Sequence, residues 1–302
     1  MERRRWVRPA IRWAFTAFLV ALFNLVGSSA NADFYNPETF NLPSDEALYF
    51  FADQSASGDV IATANGCDIC FMMDVTGYGS ISKNGGSTFT EVTSIGKQEW
   101  RAVEVSSDGN TIVFFASRYF FVSTNGGNSF TRVDPLTPTQ IFNGVEISNG
   151  ALSGDGKSIF FLDRTDGIYK VTYKSNLRMW TTDLNIVNFN GNDAFAIATN
   201  YDGSKTYIAS YQCSITRLTG STLTLLLNTV SYYSQCLSWQ QIRTSDSGNE
   251  FIGIALVDRG ATVFISNNGG SSLSVLTQVD GTDLEPATSF LSFNFPLSKE
   301  AS

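Results

Sequence analysis

The sequence predicts an all-β fold, a β-propeller of four-stranded antiparallel blades with five clear repeats and five or six blades. Two observations carry this prediction. A glycine-containing turn motif recurs five times at intervals of 51, 47, 47 and 45 residues, and a second, Gly-Gly motif is interleaved with it. Each interval has room for four strands of about five residues, which is the content of one propeller blade.

The first 32 residues have the pattern of a secretory signal peptide. Five arginines precede a largely apolar run over 14–27, and Ala30-Asn31-Ala32 supplies an A-x-A cleavage site. The run is shorter than the about 20 residues that span a bilayer. We expect cleavage after Ala32, a secreted or extracytoplasmic protein, and no membrane span once the signal is removed; an uncleaved anchor is the alternative. A segment over 33–45 and a propeller over 46–302 follow.

Composition excludes several classes of function. The 302 residues contain no His, which rules out a Ser-His-Asp triad, a Cys-His protease and a His-ligated zinc or haem site. Without residues 1–32, 15 Lys and Arg stand against 27 Asp and Glu, a net charge of −12. Such a chain repels nucleic acid and anionic membranes, so we expect neither as a partner. We also expect no cofactor and no metal, since Asp163-x-x-Asp166-Gly167 lacks the EF-hand pattern.

The first motif is a turn of the form [S/N]-x-[D/S]-G. Glycine supplies the positive φ that a tight hairpin needs, and a β-branched or aromatic run follows the turn. In the second repeat we expect strands at 100–105, 111–116, 119–123 and 129–133. The five copies begin at Ser55, Ser106, Ser153, Asn200 and Ser245.

The second motif is a polar hairpin of the form S-x-N-G-G-x-x-[F/L]. Its hydroxyl or amide side chain hydrogen-bonds the backbone across the turn and its last apolar residue packs beneath, so we expect a structural role. Degenerate copies are expected to begin at Thr172 and Thr216. The three well-formed copies contain Ser82, Asn84, Gly86 and Phe89, then Ser123, Asn125, Gly127 and Phe130, and then Ser266, Asn268, Gly270 and Leu273.

These copies resemble the Asp-box, S-x-D-x-G-x-x-[W/F], of the BNR repeat found in sialidases, sortilin-type receptors, xyloglucanases and the photosystem II assembly factor. Asn84, Asn125 and Asn268 stand where the family usually has Asp. The resemblance covers nearly all of residues 46–280 and implies a sialidase-like (WD40/YVTN/BNR-like) propeller. Both motifs fall on one end of the propeller, the turn face. The resemblance implies that a ligand site lies on the opposite end, the loop face, where the blade-to-blade connections run.

Candidate ligand-binding residues are placed at the loop face. Tyr49, Trp100 and Trp239 each stand six residues before a turn of the first motif, where an innermost strand begins. Their rings can stack on a sugar or anchor a peptide, and they can equally pack between blades. Three arginines are further candidates for the same face: Arg118, Arg164 and Arg259.

Four cysteines, an even number, suit an oxidising compartment. We expect one disulfide between Cys213 and Cys236 and a small loop staple between Cys67 and Cys70. The crossed pairings and a four-cysteine zinc site are the alternatives.

The sequence favours noncatalytic binding of a glycan or protein ligand on the loop face. One alternative is a carboxylate-dependent glycoside hydrolase of the Asp-box propeller type, with Asp68, Asp163 and Asp258 as candidate catalytic residues. A sialidase is disfavoured because the first arginine after the signal is Arg101, so the family's early arginine motif is absent. The other alternative is a lumenal photosystem assembly factor-like protein. The sequence makes no prediction of the oligomeric state.

Overall fold

The computed structural model describes residues 51–65, 76–135, 146–163, 167–176, 179–187, 194–210, 214–228, 238–257, 260–272, 274–276, 278–279 and 282–283. They form five blades of four antiparallel strands each, arranged as a five-bladed β-propeller. The predicted fold class is confirmed, with five blades rather than six. The described residues include a short 3-10 helix, Thr93–Ile95, and no α-helix.

Each blade follows chain order from the centre of the propeller outward. The first blade contains β1 (Phe51–Gln54), β2 (Ile61–Ala64), β3 (Gly79–Ser82) and β4 (Thr90–Glu91). The second contains β5 (Trp100–Val105), β6 (Ile112–Ala116), β7 (Phe120–Ser123) and β8 (Thr131–Val133). The strands predicted for the second repeat are therefore confirmed, with starting points displaced by at most two residues.

The other blades repeat this order. The third contains β9 (Ile147–Leu152), β10 (Ser158–Asp163), β11 (Gly167–Lys174) and β12 (Met179–Val187). The fourth contains β13 (Ala194–Thr199), β14 (Lys205–Ser210), β15 (Ser214–Thr219) and β16 (Thr222–Asn228). The fifth contains β17 (Ser238–Thr244), β18 (Phe251–Val257), β19 (Gly260–Ser266) and β20 (Ser274–Leu276). A two-stranded hairpin of β21 (Gln278–Val279) and β22 (Thr282–Asp283) follows.

The core lies between the blades. Four apolar clusters fill the four junctions from the first blade to the fifth. Because side chains alternate along a strand, neighbouring residues of β6 enter different clusters: Phe114 packs against the first blade and Phe115 against the third. Strands buried on both faces have continuous apolar sequences, which explains the runs that mark the second strand of each repeat.

Backbone hydrogen bonds also join successive blades at the turn face. A peptide N–H in each turn of the first motif donates to a carbonyl in the turn of the next blade. The pairs are Ala56 to Ser107 (2.9 Å), Ser107 to Gly154 (2.8 Å), Asp155 to Tyr201 (2.8 Å) and Tyr201 to Asp246 (3.1 Å). The five turns thus form one connected series around the channel.

The predicted signal peptide over 1–32 and the segment over 33–45 lie outside the described residues, so their boundaries stay predictions. Within the described part of the chain, no helix is long and apolar enough to cross a membrane.

Candidate functional site

The turns of the first motif are built alike in all five blades. The side-chain oxygen of the first turn residue accepts the N–H of the residue five positions later, where the second strand approaches. The distances are 2.9 Å from Thr111 N to Ser106 Oγ and from Lys205 N to Asn200 Oδ1. The glycines of these turns have positive φ, for example 72° at Gly109. The motif recurs because this hairpin needs an oxygen and a glycine at fixed positions.

The three well-formed copies of the second motif share one hydrogen-bond pattern. In the second blade, Ser123 Oγ accepts the N–H of Gly127 at 2.8 Å and donates to Asn125 Oδ1 at 2.9 Å. Asn125 Oδ1 also accepts the N–H of Ser129 at 3.0 Å. The ring of Phe130 packs on Phe114 with centroids 5.7 Å apart. The corresponding bonds link Ser82, Asn84 and Gly86 in the first blade, and Ser266, Asn268 and Gly270 in the fifth.

The two motifs are joined within each of these blades. The first glycine of the second motif donates its N–H to a carbonyl four residues after the start of the first motif. The pairs are Gly85 to Asp59 (3.0 Å), Gly126 to Asn110 (2.9 Å) and Gly269 to Asn249 (2.6 Å). The polar atoms of the turn face therefore bond one another, which leaves the loop face as the place to look for a site.

The degenerate copies differ from the prediction in position. Thr172 lies inside β11 and Thr216 inside β15, whereas Ser123 ends its strand. In the fourth blade the connection has shortened to a tight hairpin in which Thr219 pairs directly with Thr222. Without the Asn-Gly-Gly sequence, the strand ladder continues through the place where a box would start.

On the loop face, two guanidinium groups flank one carboxylate. Arg101 Nη2 lies 3.8 Å from Glu146 Oε2, and Arg118 Nη2 lies 3.8 Å from Glu146 Oε1. Arg101 begins the innermost strand of the second blade, Arg118 lies in its β6–β7 connection, and Glu146 precedes β9 of the third. Arg101 is buried, whereas half of the Arg118 side chain and 29% of Glu146 are exposed. We call these three residues the arginine pair site.

Tyrosines and amides form a rigid rim beside the arginine pair site. Tyr119 Oη donates to Gln98 Oε1 at 2.7 Å, and the Arg132 guanidinium stacks 3.8 Å from the centre of the Tyr119 ring. Gln98 is itself fixed by paired backbone hydrogen bonds with Gly77, both 3.0 Å. The rim therefore presents an ordered aromatic and polar surface rather than a loose loop.

Trp100, one of the predicted ligand-binding aromatics, is fully buried. Its Nε1 donates to Gly77 O at 2.8 Å, and its ring contacts Phe114 with centroids 5.4 Å apart. Of the two roles considered for this ring, it has the packing role, between the first and second blades.

A second charged cluster lies in the channel, near the turn face. Arg243 Nη1 of β17 donates to Glu104 Oε1 of β5 at 2.5 Å, and all of these side chains are buried together with Asp53 of β1. Burial lowers the pKa of Arg243, but the carboxylates of Glu104 and Asp53 outweigh burial, so the pKa lies above its ordinary value. Asp53 Oδ2 also accepts the N–H of Val105 at 2.7 Å. The cluster links the fifth blade to the first and second.

Sequence reasoning identified Arg118 but neither Glu146 nor the channel cluster. A signal for the cluster was present in the register of the repeats, because its members stand two residues before the first motif. The five residues at that position are Asp53, Glu104, Ala151, Ala198 and Arg243. Two acids and one arginine in one layer of innermost strands predict a charged contact across the channel.

The remaining predicted site residues are placed only in part. Asp163 ends β10 and is fully buried. Trp239 lies in β17 and pairs with Ala255, although its side chain is not among those described. The other candidates lie outside the described residues and stay predictions: Tyr49, Asp68, Arg164, Asp258, Arg259, Leu273, Cys67, Cys70, Cys213 and Cys236.

Comparison with known proteins shows similarity of fold. No family model matches the sequence, and no curated protein matches it. Among solved structures, the GH74 xyloglucanase from Xanthomonas campestris aligns with a TM-score of 0.54 at 12% identity, over 74% of this chain and 38% of that one. The GH74 enzyme of Niastella koreensis aligns with a TM-score of 0.51 at 17% identity, over 75% of this chain and 38% of that one.

A third similar structure is YCF48 bound to D1 peptide, with a TM-score of 0.50 at 11% identity, over 80% of this chain and 71% of that one. The chain thus spans 38% of the length of the two GH74 enzymes. Its structural neighbours are β-propellers of glycoside hydrolases and of an assembly factor, as the repeat pattern predicted.

Proposed function

We propose that the chain binds a glycan or protein ligand, without catalysis, on the loop face of the propeller. The arginine pair site carries the proposal. A guanidinium has five N–H donors in a planar fork, and one carboxylate shared with a second arginine engages few of them. Half-exposed Arg118 therefore has donors for carboxylate, hydroxyl or carbonyl oxygens of a ligand.

The surroundings of the site suit recognition. The Tyr119 ring is held in place by Arg132 and Gln98, so a ligand meets a surface that is already ordered. A preorganised surface loses little side-chain entropy when it binds. Aromatic faces match the CH surfaces of sugars and the side chains of peptides alike.

Hydrolysis is the alternative function, and the described carboxylates give it little support. A glycosidase of the common type uses two carboxyl groups about 5 to 9.5 Å apart on either side of the scissile bond. Asp163, the described member of the three candidates, is fully buried, and Glu146 on the loop face is flanked by two arginines. A carboxylate between two guanidiniums is held ionised, which disfavours a general acid.

A protein ligand has separate support. YCF48, whose fold is similar, was solved with a bound peptide, so a propeller of this kind accommodates an extended chain. A lumenal assembly factor-like role is the corresponding alternative for this protein. We also propose that the chain is exported after cleavage at Ala32, that its cysteines form disulfides, and that its second motif is a variant Asp-box of the BNR type.

The test is a panel of polysaccharides in which co-sedimentation and released reducing ends are measured together. Protein expressed from the full-length sequence is compared with Arg118→Ala and with Lys157→Ala, which removes an exposed cation from the turn face. Retention without release, lost in Arg118→Ala and kept in Lys157→Ala, supports the proposal. Release of reducing ends contradicts it and favours hydrolysis. Absence of retention rules out the panel glycans and leaves the protein ligand, tested with an immobilised peptide array.

A further inference from the structure

The outermost strands of the five blades differ in length, and the difference follows the second motif. In the first, second and fifth blades, which have a well-formed copy, the outermost strands β4, β8 and β20 contain two, three and three residues. In the third and fourth blades, where the motif is degenerate, β12 and β16 contain nine and seven residues. Loss of the box and a long outer edge therefore occur together.

The box shortens the edge for a geometric reason. In the second blade the polar hairpin occupies residues 123–130, so β8 begins only at Thr131. In the fourth blade the hairpin is tight, and β16 pairs with β15 from Thr222 to Asn228. The backbone of β16 then presents a long row of N–H and C=O groups on its other side, since it is the last strand of its sheet.

The side chains of this edge are apolar and uncharged. Among the described side chains, Met179 and Leu225 are the large hydrophobic residues with most of their surface exposed, at 52% and 62%. They lie on β12 and β16, the two long edges. The sequence of β16, Thr-Leu-Thr-Leu-Leu-Leu-Asn, has no charge and no proline, the two devices that usually prevent edge-to-edge pairing.

Other leucines fix β16 to its own blade. Leu223 packs against the core between the third and fourth blades, and Leu226 against the core between the fourth and fifth. Leu225 lies where the β15–β16 register shifts and projects into solvent. The strand is thus anchored on the inside, while Thr222, Thr224 and Leu225 are exposed for contact with a partner.

We propose that β16 is the interface of a homodimer, in which it pairs antiparallel with β16 of a second copy. Antiparallel pairing about a two-fold axis uses the same surface of both copies and closes without further growth. Electrostatics favour this occupant: the chain has a net charge of −8, so two copies repel, and a charge-free strand lets them meet without placing like charges opposite each other. The parallel candidate, β12, contains Asp183.

Sedimentation velocity over about a hundredfold range of concentration tests the proposal on protein expressed from the full-length sequence. We expect a monomer–dimer equilibrium. Thr224→Lys places two ammonium groups near the axis and raises the dissociation constant about tenfold or more. Thr131→Lys adds the same exposed charge to the short edge β8 and is expected to leave the equilibrium unchanged.

Further measurements keep the test decisive. In the wild type, hydrogen-exchange protection of residues 222–226 rises with protein concentration if β16 is the interface. A monomer at every concentration overturns the proposal, as does equal weakening by Thr224→Lys and Thr131→Lys. Dissociation by Met179→Lys but not by Thr224→Lys assigns the interface to β12 and also overturns it. An unchanged midpoint of thermal unfolding shows that the Thr224→Lys monomer is folded.

Discussion

Arg243 Nη1 of β17 lies 2.5 Å from Glu104 Oε1 of β5, across the channel and 139 residues apart in the chain. The innermost strands of these blades are not neighbours around the ring, so the pair braces the propeller from within. Asp53 of the first blade adds a second carboxylate to the same cation. Four junctions between blades are apolar, and this cluster adds an electrostatic link from the fifth blade to the first two.

Replacing the cation tests this brace. Arg243→Met leaves two buried carboxylates without the guanidinium and is expected to lower the free energy of unfolding by about 3–5 kcal/mol. Arg132→Met removes an ion pair whose arginine is half exposed and is expected to cost at most about 1 kcal/mol. Urea unfolding followed by tryptophan fluorescence measures both. Equal effects of the two substitutions would contradict a bracing role.

The box hairpin offers a more local prediction. Ser123→Ala removes the oxygen that accepts the Gly127 N–H, and we expect unfolding free energy to fall by about 1–3 kcal/mol. Thr124→Ala changes the neighbouring exposed residue and is expected to stay within about 0.5 kcal/mol of the wild type. If Ser123→Ala is as harmless as its neighbour, the hydrogen bonds of the box do not hold the turn.

Two turn carboxylates make stability depend on acid. Burial raises the pKa of Asp108, but hydrogen bonds from Ser106 and Asn110 outweigh it, so the pKa lies below its ordinary 3.8. Hydrogen bonds from Ser204 and Asn200 likewise lower the pKa of Asp202, against the effect of burial. A depressed pKa stabilises the folded state above 3.8, and this stabilisation is lost as the pH falls through the folded-state pKa.

The double variant Asp108→Asn/Asp202→Asn measures that contribution. Asparagine keeps an acceptor oxygen and cannot titrate, so its urea midpoint is expected to fall less than that of the wild type between about pH 5 and pH 2. The two proteins should converge at the acid end of the range. Parallel curves over the whole range would show that these carboxylates do not couple to folding.

Most of the fold was predictable because the repeat depends on local chemistry. Gly127 illustrates this: its φ is 80°, and an added Cβ would lie 2.5 Å from Ile81 Cδ1, so the sequence must keep glycine there. The strands between such turns follow from spacing alone. The long edge of β16 was not predicted, because the loss of a box was interpreted as degeneracy rather than as a longer strand ladder.

The candidate site was less predictable than the fold. Arg118 was placed on the correct face because the β6–β7 turn fixes its position. Its carboxylate partner, Glu146, belongs to the next blade, and only packing of the blades brings the two together. Trp100 shows the opposite case, since an aromatic residue at the mouth of the channel packs between blades as readily as it faces solvent.

Mass spectrometry tests the proposed export. Protein recovered after export is expected to begin at Asp33, and non-reduced peptide mapping is expected to recover Cys213 linked to Cys236, and Cys67 linked to Cys70. Oxidation of both pairs lowers the intact mass by about 4 Da. Retention of residues 1–32 would indicate an anchor, and four free thiols would contradict an oxidising compartment.

Hydrogen exchange with and without a bound ligand tests the central claim most directly. With the glycan or peptide that is retained most strongly, protection is expected at residues 98–101 and 117–119 on the loop face. The turns at 106–109 and 153–156 should exchange at an unchanged rate. Protection of those turns, with an unchanged loop face, would place the ligand at the wrong end of the propeller and contradict the proposed function.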